Sequence, residues 1–239
     1  MGSSLPSKPP RRTQSERREA TIRKLLDAAA DALIDEGYSG ATVQVICNRA
    51  GVSQGALFRH FPTREALLVE VCNDIGARVL ADYRRRFTAS GGGDPLLVAM
   101  QLLREQCRSR VNQAFYELSI AARTNVELAR AMKPAARAYY DHIEELAREL
   151  LPDLARLLGP SFRTMVDTVV CTFDGEAIHR ILFEDKDLDA ERLVLLGGAI
   201  AALTQPIKAH KHGSDRSGSE QTRTNGRPHK TTPVNRRRT

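Results

Sequence analysis

Apolar residues recur at the three- and four-residue spacing of helices along most of this chain, and no stretch alternates with the two-residue period of a strand. Ile22, Leu25, Leu26, Ala29 and Leu33 form the first stripe, opened by a capping box of Thr13 and Glu16 and stopped by Gly37. Two short segments follow. Thr42 can cap one that ends near Ala50, Gly51 suits a left-handed turn, and Ser53 can cap the next, which ends at Phe61-Pro62. Thr63 then caps a longer helix running to about Thr88, and SGGGDP at 90–95 is the clearest break in the chain. Beyond it the pattern predicts helices over 95–111, 112–124, 126–151 (with Pro134 the place for a kink), 161–183 and 189–205. The expected fold class is all-α, with a small N-terminal three-helix unit and a larger helical unit behind it.

In the N-terminal unit, Val43, Ile46, Ala50, Val52, Leu57 and Phe61 can share one core with Leu25, Leu26, Ala29 and Leu33. That leaves Gln44, Ser53, Gln54, Gly55, Ala56, Phe58, Arg59 and His60 outside. Two short helices joined by a tight glycine turn have the geometry of a helix-turn-helix. The outer residues suit a major groove: Gln pairs bidentately with adenine, Arg with guanine or phosphate, and small residues permit close approach. Helix N-termini at Thr42 and Ser53 offer backbone N–H groups to phosphates. An ordinary helical hairpin with its polar face in water shows the same pattern, so both readings stand on the spacing alone.

Charge adds to this. The net +7 is distributed as +5 on residues 1–24, −5 on 25–206 and +7 on 207–239, so the basic residues lie on the two ends of an acidic body. Basic arms attract polyanions through counterion release, although a solvated tail reads the same way. Arg11, Arg12, Arg17, Arg18, Arg23 and Lys24 are the candidates for phosphate contact. The uncharged run from Leu193 to Ile207 is too short to cross a bilayer, no apolar segment follows the basic N-terminus as in a secretory signal, and Pro6 spoils a myristoylation motif. Cys47, Cys72, Cys107 and Cys171 are scattered, as free thiols of a reducing cytoplasm would be.

The stretch Gly37–Leu68, GYSGATVQVICNRAGVSQGALFRHFPTREALL, closely resembles the N-terminal signature of TetR/AcrR-family transcriptional regulators, and the likeness covers about residues 15–70. AARTNVELA at 121–129 is also similar to a stretch common in that family. The resemblance implies a homodimer whose third helix enters the major groove of double-stranded operator DNA, with a C-terminal domain for an effector and for the dimer contact. By position it makes Gln44, Ser53, Gln54, Gly55, Ala56 and Arg59 DNA-facing and puts Phe58, His60 and Arg64 on the phosphate backbone; Thr42, by its helix N-terminus, and Arg17 and Arg18, by their charge, join the candidates for DNA contact. Phe58 replaces the usual Tyr and lacks its hydroxyl, and Arg64 replaces the usual Lys. Cys47 stands where Ala is common and reads as an apolar filler, with redox sensing the alternative. The expected divisions are a disordered basic arm at 1–12, the helix-turn-helix domain at 13–62, a ligand-binding and dimerisation domain at 63–207 whose connecting helix is 63–88, and a disordered basic tail at 208–239.

The C-terminal unit offers less chemistry. Val169, Phe173 and Ala177 on one helix, with Leu193, Leu196, Ile200 and Leu203 on the last, suggest a two-fold four-helix interface, with burial inside one chain as the alternative. Leu103, Phe115, Tyr116, Met132, Tyr139 and Tyr140 are candidates to line a mostly apolar effector site, or are plain core. Glu176 with His179, and His142 with Glu145 and Glu149, have helical spacings that metal sites use, but a single copy of each favours salt bridges, so no metal and no cofactor is expected. No catalytic order or nucleotide-binding fingerprint is present, so an enzyme has no positive support. The expected function is a ligand-responsive regulator, a repressor released from a pseudo-palindrome by an inducer. The alternatives are an activator or ligand-independent binder of the same fold, or a helical enzyme or metal protein with a vestigial hairpin.

Overall fold

The structure, a computed structural model, describes residues 13–204; the N-terminal arm and the C-terminal tail expected from composition lie outside them. Ten helices and no strand are found among the described residues. The first four are α1 Gln14–Gly40, α2 Val43–Ala50, α3 Gln54–His60 and α4 Arg64–Ala89. Then come α5 Pro95–Cys107, α6 Arg110–Ala122, α7 Val126–Leu150, α8 Pro152–Leu158, α9 Ser161–His179 and α10 Lys186–Thr204.

The helix starts follow from their caps. Thr13 accepts from the backbone N–H of Glu16 while Glu16 Oε2 accepts from the N–H of Thr13, completing the capping box. Thr42, Ser53 and Thr63 accept from the third N–H of α2, α3 and α4 in the same way. Gly37 interrupts α1 with a φ of 68°, and Gly51 ends α2 in the left-handed region at φ 65°. Pro134 does not break α7, which continues to Leu150. The short α8 was not expected: Leu151-Pro152 ends one helix and opens another, because proline at the first helical position loses no hydrogen bond.

One hydrophobic core continues from the first helix into the seventh, across the boundary expected at residue 62. Leu25, Ala29 and Leu33 of α1 are fully buried, with Ile46 and Leu57 of the hairpin on one side and Ala114 and Leu118 of α6 on the other. Leu67, Leu68 and Val71 of α4 and Leu128 of α7 close it. Val43 and Val52 pack against this core and Phe61 belongs to it, as the spacing predicts.

A second, smaller core joins α5, α9 and α10 through Met100, Cys107, Val169, Phe173 and Ile200. Beside it, four arginines surround two acids. Glu176, its side chain 2% exposed, receives Arg104 Nε at 2.6 Å, Arg192 Nη1 at 2.5 Å and a third hydrogen bond from Arg108. Asp189 accepts from Arg108 at 2.6 Å and lies within ion-pair reach of Arg180. Burial opposes the ionisation of Glu176, but the hydrogen bonds from Arg104, Arg192 and Arg108 outweigh it and hold its carboxyl below the ordinary glutamate value.

Because that pKa is depressed in the folded state, the stabilisation is complete above the unfolded value and is lost as pH falls through the folded one. Removing the acid leaves three guanidiniums to share Asp189 alone, two of them with partial access to solvent. Glu176→Ala is therefore expected to cost about 3 kcal/mol, the lower end of the range for breaking a buried ion pair, and to flatten the acid limb of the stability–pH curve. Urea denaturation at pH 7 and pH 4 checks both; equal loss at the two pH values would contradict the assignment.

Candidate nucleic-acid interface and internal cavity

The helix-turn-helix presents its polar face outward. Gln44, Ser53, Gln54, Gly55 and Arg59 are exposed, Ala56 and His60 half-buried, and the Phe58 ring is 47% exposed. Leu57 and Phe61 point inward and anchor α3 to the core. The amide of Gln54 donates to Gln44 Oε1 at 2.7 Å, and Gln44 in turn donates to Asn48 Oδ1 at 2.8 Å. This three-amide chain ties the start of α3 to α2, and Asn48 was not anticipated. Its signal was available: Gln44 and Asn48 stand four apart on one helix face.

The cations divide into committed and uncommitted. Arg59, Arg17 and Arg18 are exposed and have no acidic partner among the described residues. Arg23, expected to reach phosphate, instead donates to Asp74 at 2.6 Å and is held against α4. Arg49 is taken by Asp35 at 2.7 Å and Glu36 at 2.6 Å.

Arg64 is the main departure from expectation. Its Nε donates to the Ala41 carbonyl at 2.9 Å, a second nitrogen donates to the Tyr38 carbonyl, and its guanidinium stacks 4.3 Å above the Tyr38 ring. The planar fork that replaces the family's lysine is thus spent on the loop between α1 and α2 rather than offered to a phosphate. Tyr38 also accepts a hydrogen bond from Asn125 Nδ2 at 3.0 Å, and Asn125 caps α7 through Leu128 N. The family-like AARTNVELA segment therefore holds the turn before α7 against the helix-turn-helix.

An internal cavity of about 90 Å³ lies between α4, α5, α6, α7 and α9. Leu103, Phe115 and Tyr139 line it, as expected. Tyr116, Met132 and Tyr140 do not. The Tyr116 hydroxyl stands behind the wall, donating to Asp174 Oδ1 at 2.7 Å, and Met132 belongs to the larger core and borders only a smaller void of about 10 Å³. Tyr140 packs its ring edge-on to Tyr139 at 6.0 Å. Sequence periodicity missed Tyr83 and Asp174, both on the wall, because neither helix pattern marks which polar residue faces a gap.

The seven positions expected at a dimer interface also divide. Val169, Phe173 and Ile200 are buried within the chain, Val169 on the cavity wall, so they are not available to a partner. Ala177, Leu193 and Leu196 are half-buried against the same core, and only Leu203 faces outward, 70% exposed. The apolar face left uncovered is a different one: Ile181, Leu182 and Phe183 after α9, with Val194 and Leu195 on α10. A helix apolar all round has two such faces, and spacing alone does not say which one meets its own chain.

Of the metal-like spacings, Glu176 is taken by arginines, Glu149 by Arg84, and the exposed His179 packs beside Phe183. Among the described residues no cluster of three potential metal ligands occurs, and no helix is long and apolar enough to cross a membrane.

Residues 25–71 match the family described as bacterial regulatory proteins, tetR family. An uncharacterised HTH-type transcriptional regulator of Mycobacterium tuberculosis, Rv2912c, is 33% identical over 192 residues, spanning 80% of this chain and 98% of the relative. The chain belongs to the TetR family. It is a DNA-binding transcriptional regulator with a helix-turn-helix, and the family's members are not enzymes. Solved structures share the fold. A transcriptional regulator from Rhodococcus sp. Rha1 superposes with a TM-score of 0.59 at 24% identity, covering 77% of this chain and 98% of its own. The multidrug binding protein EbrR, complexed with imidazole, gives 0.52 at 22%, covering 73% and 93%. In this TetR-family chain the loop clamped by Arg64 seats the recognition pair. Arg64→Ala leaves two part-buried carbonyls without their donor and is expected to lower stability by about 1–3 kcal/mol. Thermal unfolding with heat capacity measured checks it; an unchanged midpoint would show that water replaces the clamp at no cost.

Proposed function

We propose that this TetR-family regulator is a homodimeric repressor that leaves its operator when a small, mostly apolar molecule enters the internal cavity. One observation carries the reading: α4 and α6 wall the cavity and also pack against α1, the helix on which the recognition pair is seated. A ligand that parts these helices displaces the seat of α3. Two recognition helices then no longer match the roughly 34–36 Å between successive major grooves. To swing the population from mostly bound to mostly released, the effector needs a differential affinity of about 5.5 kcal/mol between the two states. That the similarly folded EbrR is a multidrug binding protein supports a ligand role for such a fold.

On this reading Gln44, Ser53, Gln54, Gly55, Ala56 and Arg59 face the bases, with Thr42, His60, Arg17 and Arg18 toward the backbone. Phe58 contributes ring packing alone. The Gln54–Gln44–Asn48 chain keeps both glutamines ordered before DNA arrives, which lowers the entropy lost on binding. Arg64 is withdrawn from the set. Selection from random duplexes should return a pseudo-palindrome. On that sequence Gln54→Ala and Arg59→Ala should each cost about 1–3 kcal/mol and relax base preference, whereas Arg18→Ala should weaken all sequences alike. Fluorescence anisotropy on matched and mismatched duplexes reads this, and a footprint indifferent to all three variants sinks the assignment.

The exposed apolar face of Val194, Leu195 and Leu203, with Ile181–Phe183 beside it, is the surface proposed to pair two protomers about a two-fold axis. Leu195→Glu places a charge where burial against the partner is needed and nothing inside the protomer changes. Light scattering should show the mass fall by half with far-UV ellipticity retained. A dimer that persists through both Leu195→Glu and Leu203→Glu would place the interface elsewhere.

A further inference from the structure

The wall of the internal cavity carries one ionisable group that the fold leaves without a countercharge, Asp174. Of the other polar groups there, Tyr83 donates to the Ala99 carbonyl at 2.8 Å, the Asn112 amide donates to the Tyr116 hydroxyl at 2.8 Å and Gln106 donates to Ser109 Oγ at 3.0 Å, while Tyr139 contributes an uncharged phenol. Asp174 itself is met by the Tyr116 hydroxyl and the Cys107 thiol, neither of them a cation. No Lys, Arg or His lines the cavity, and no basic side chain pairs with Asp174 among the described residues. Two residues further along α9, Glu176 holds three guanidiniums, so the contrast is local. Burial pushes the Asp174 carboxyl up against the hydrogen bonds that favour its charged form. A carboxylate kept at the edge of an apolar space, without a cation of its own, costs free energy that an incoming cation recovers.

The space around it fits such a guest. Phe115 and Tyr139, with ring centroids 5.8 Å apart, stand on the same wall, and aromatic faces attract ammonium groups. Gly76 makes their position possible, since a Cβ there would lie 2.8 Å from Tyr139 Cδ2. Much of the remaining lining, including Met100, Leu103 and Val169, is apolar. At about 90 Å³ the space is smaller than the cavity of roughly 150 Å³ that holds benzene, so the closed form admits a slender body. An anionic amphiphile of the same shape would give up its water to face a like charge.

We propose that the cavity selects a slender lipophilic cation, an alkyl or aryl amine whose ammonium group meets Asp174 and whose apolar body lies along Met100, Leu103 and Val169. This rests on the reading of the cavity as the effector site. The test uses three probes of one chain length and different head groups, n-octylammonium, 1-octanol and octanoate. Each is titrated calorimetrically into the full-length chain, and operator release is measured in parallel. Octylammonium is expected to bind at least about tenfold more tightly than octanol, with octanoate the weakest. Asp174→Asn should erase the advantage of the ammonium and leave octanol binding within about twofold. Octanoate binding as tightly as octylammonium overturns the proposal, as does a preference that survives Asp174→Asn or a failure of all three probes to bind. If the Asn variant does not fold, the order of the three probes on the wild type decides alone. Ammonium selectivity without operator release leaves the ligand class standing and removes the sensor role. Release by octanol or octanoate with no ammonium preference does the reverse.

Discussion

The apolar face of α1 must be covered on two sides at once, and that constraint sets the arrangement of the other helices. Leu25, Ala29, Ala32 and Leu33 are all fully buried, and the alanines among them let neighbouring backbones approach closely. On one side they take Ile46 and Leu57, which fixes α2 and α3; on the other they take Ala114 and Leu118 of α6. Interiors packed to crystalline density do not deform smoothly, so a shift in α6 or α4 reaches α1 as a change of packing. The polar tie from Arg64 through Tyr38 to Asn125 joins the start of α4, the end of α1 and the cap of α7. Cys47 and Cys72 fill it. Burial pushes the Cys72 thiol up to about 12 and that of Cys47 upward as well, which suits inert packing rather than redox sensing.

Two carboxylates on α9, placed two residues apart, have opposite surroundings. Glu176 turns toward α5 and α10 and its charge is consumed by arginines that hold those helices in place. Asp174 turns toward the cavity and meets only neutral donors. The first is a lock on the scaffold. The second stands without a countercharge on the wall of the cavity.

The helix-turn-helix was legible because each of its signals is local. Thr13, Thr42, Ser53 and Thr63 cap from their own first turns, Gly51 needs only its own φ, and the inward positions follow a three-to-four spacing. The clamp by Arg64 was not legible, since its acceptors lie 23 and 26 positions earlier and are backbone carbonyls that any residue carries. For the same reason the spacing did not separate the interface candidates that the chain buries, Val169, Phe173 and Ile200, from Leu203, which it leaves exposed. Val169, Phe173 and Ile200 are as apolar as an interface requires, and the arginine cluster that decides which side faces inward joins residues 72 and 81 apart in the chain. The cavity wall fell between these cases: Phe115 and Tyr139 stood out as aromatic residues, whereas nothing local to Tyr83 or Asp174 marked them as facing a gap.

The central claim is that the recognition helices and the cavity helices share one cooperative core. Native-state hydrogen exchange in increasing denaturant measures it directly, because amides of one cooperative unit merge into one opening reaction. Amides of α1 around Leu25–Leu33 and of α6 around Ala114–Leu118 should approach a common free energy of opening. If α1 through α3 instead open together at markedly lower free energy while α6 and α7 stay protected, the two parts are separate units and the coupling described here does not exist.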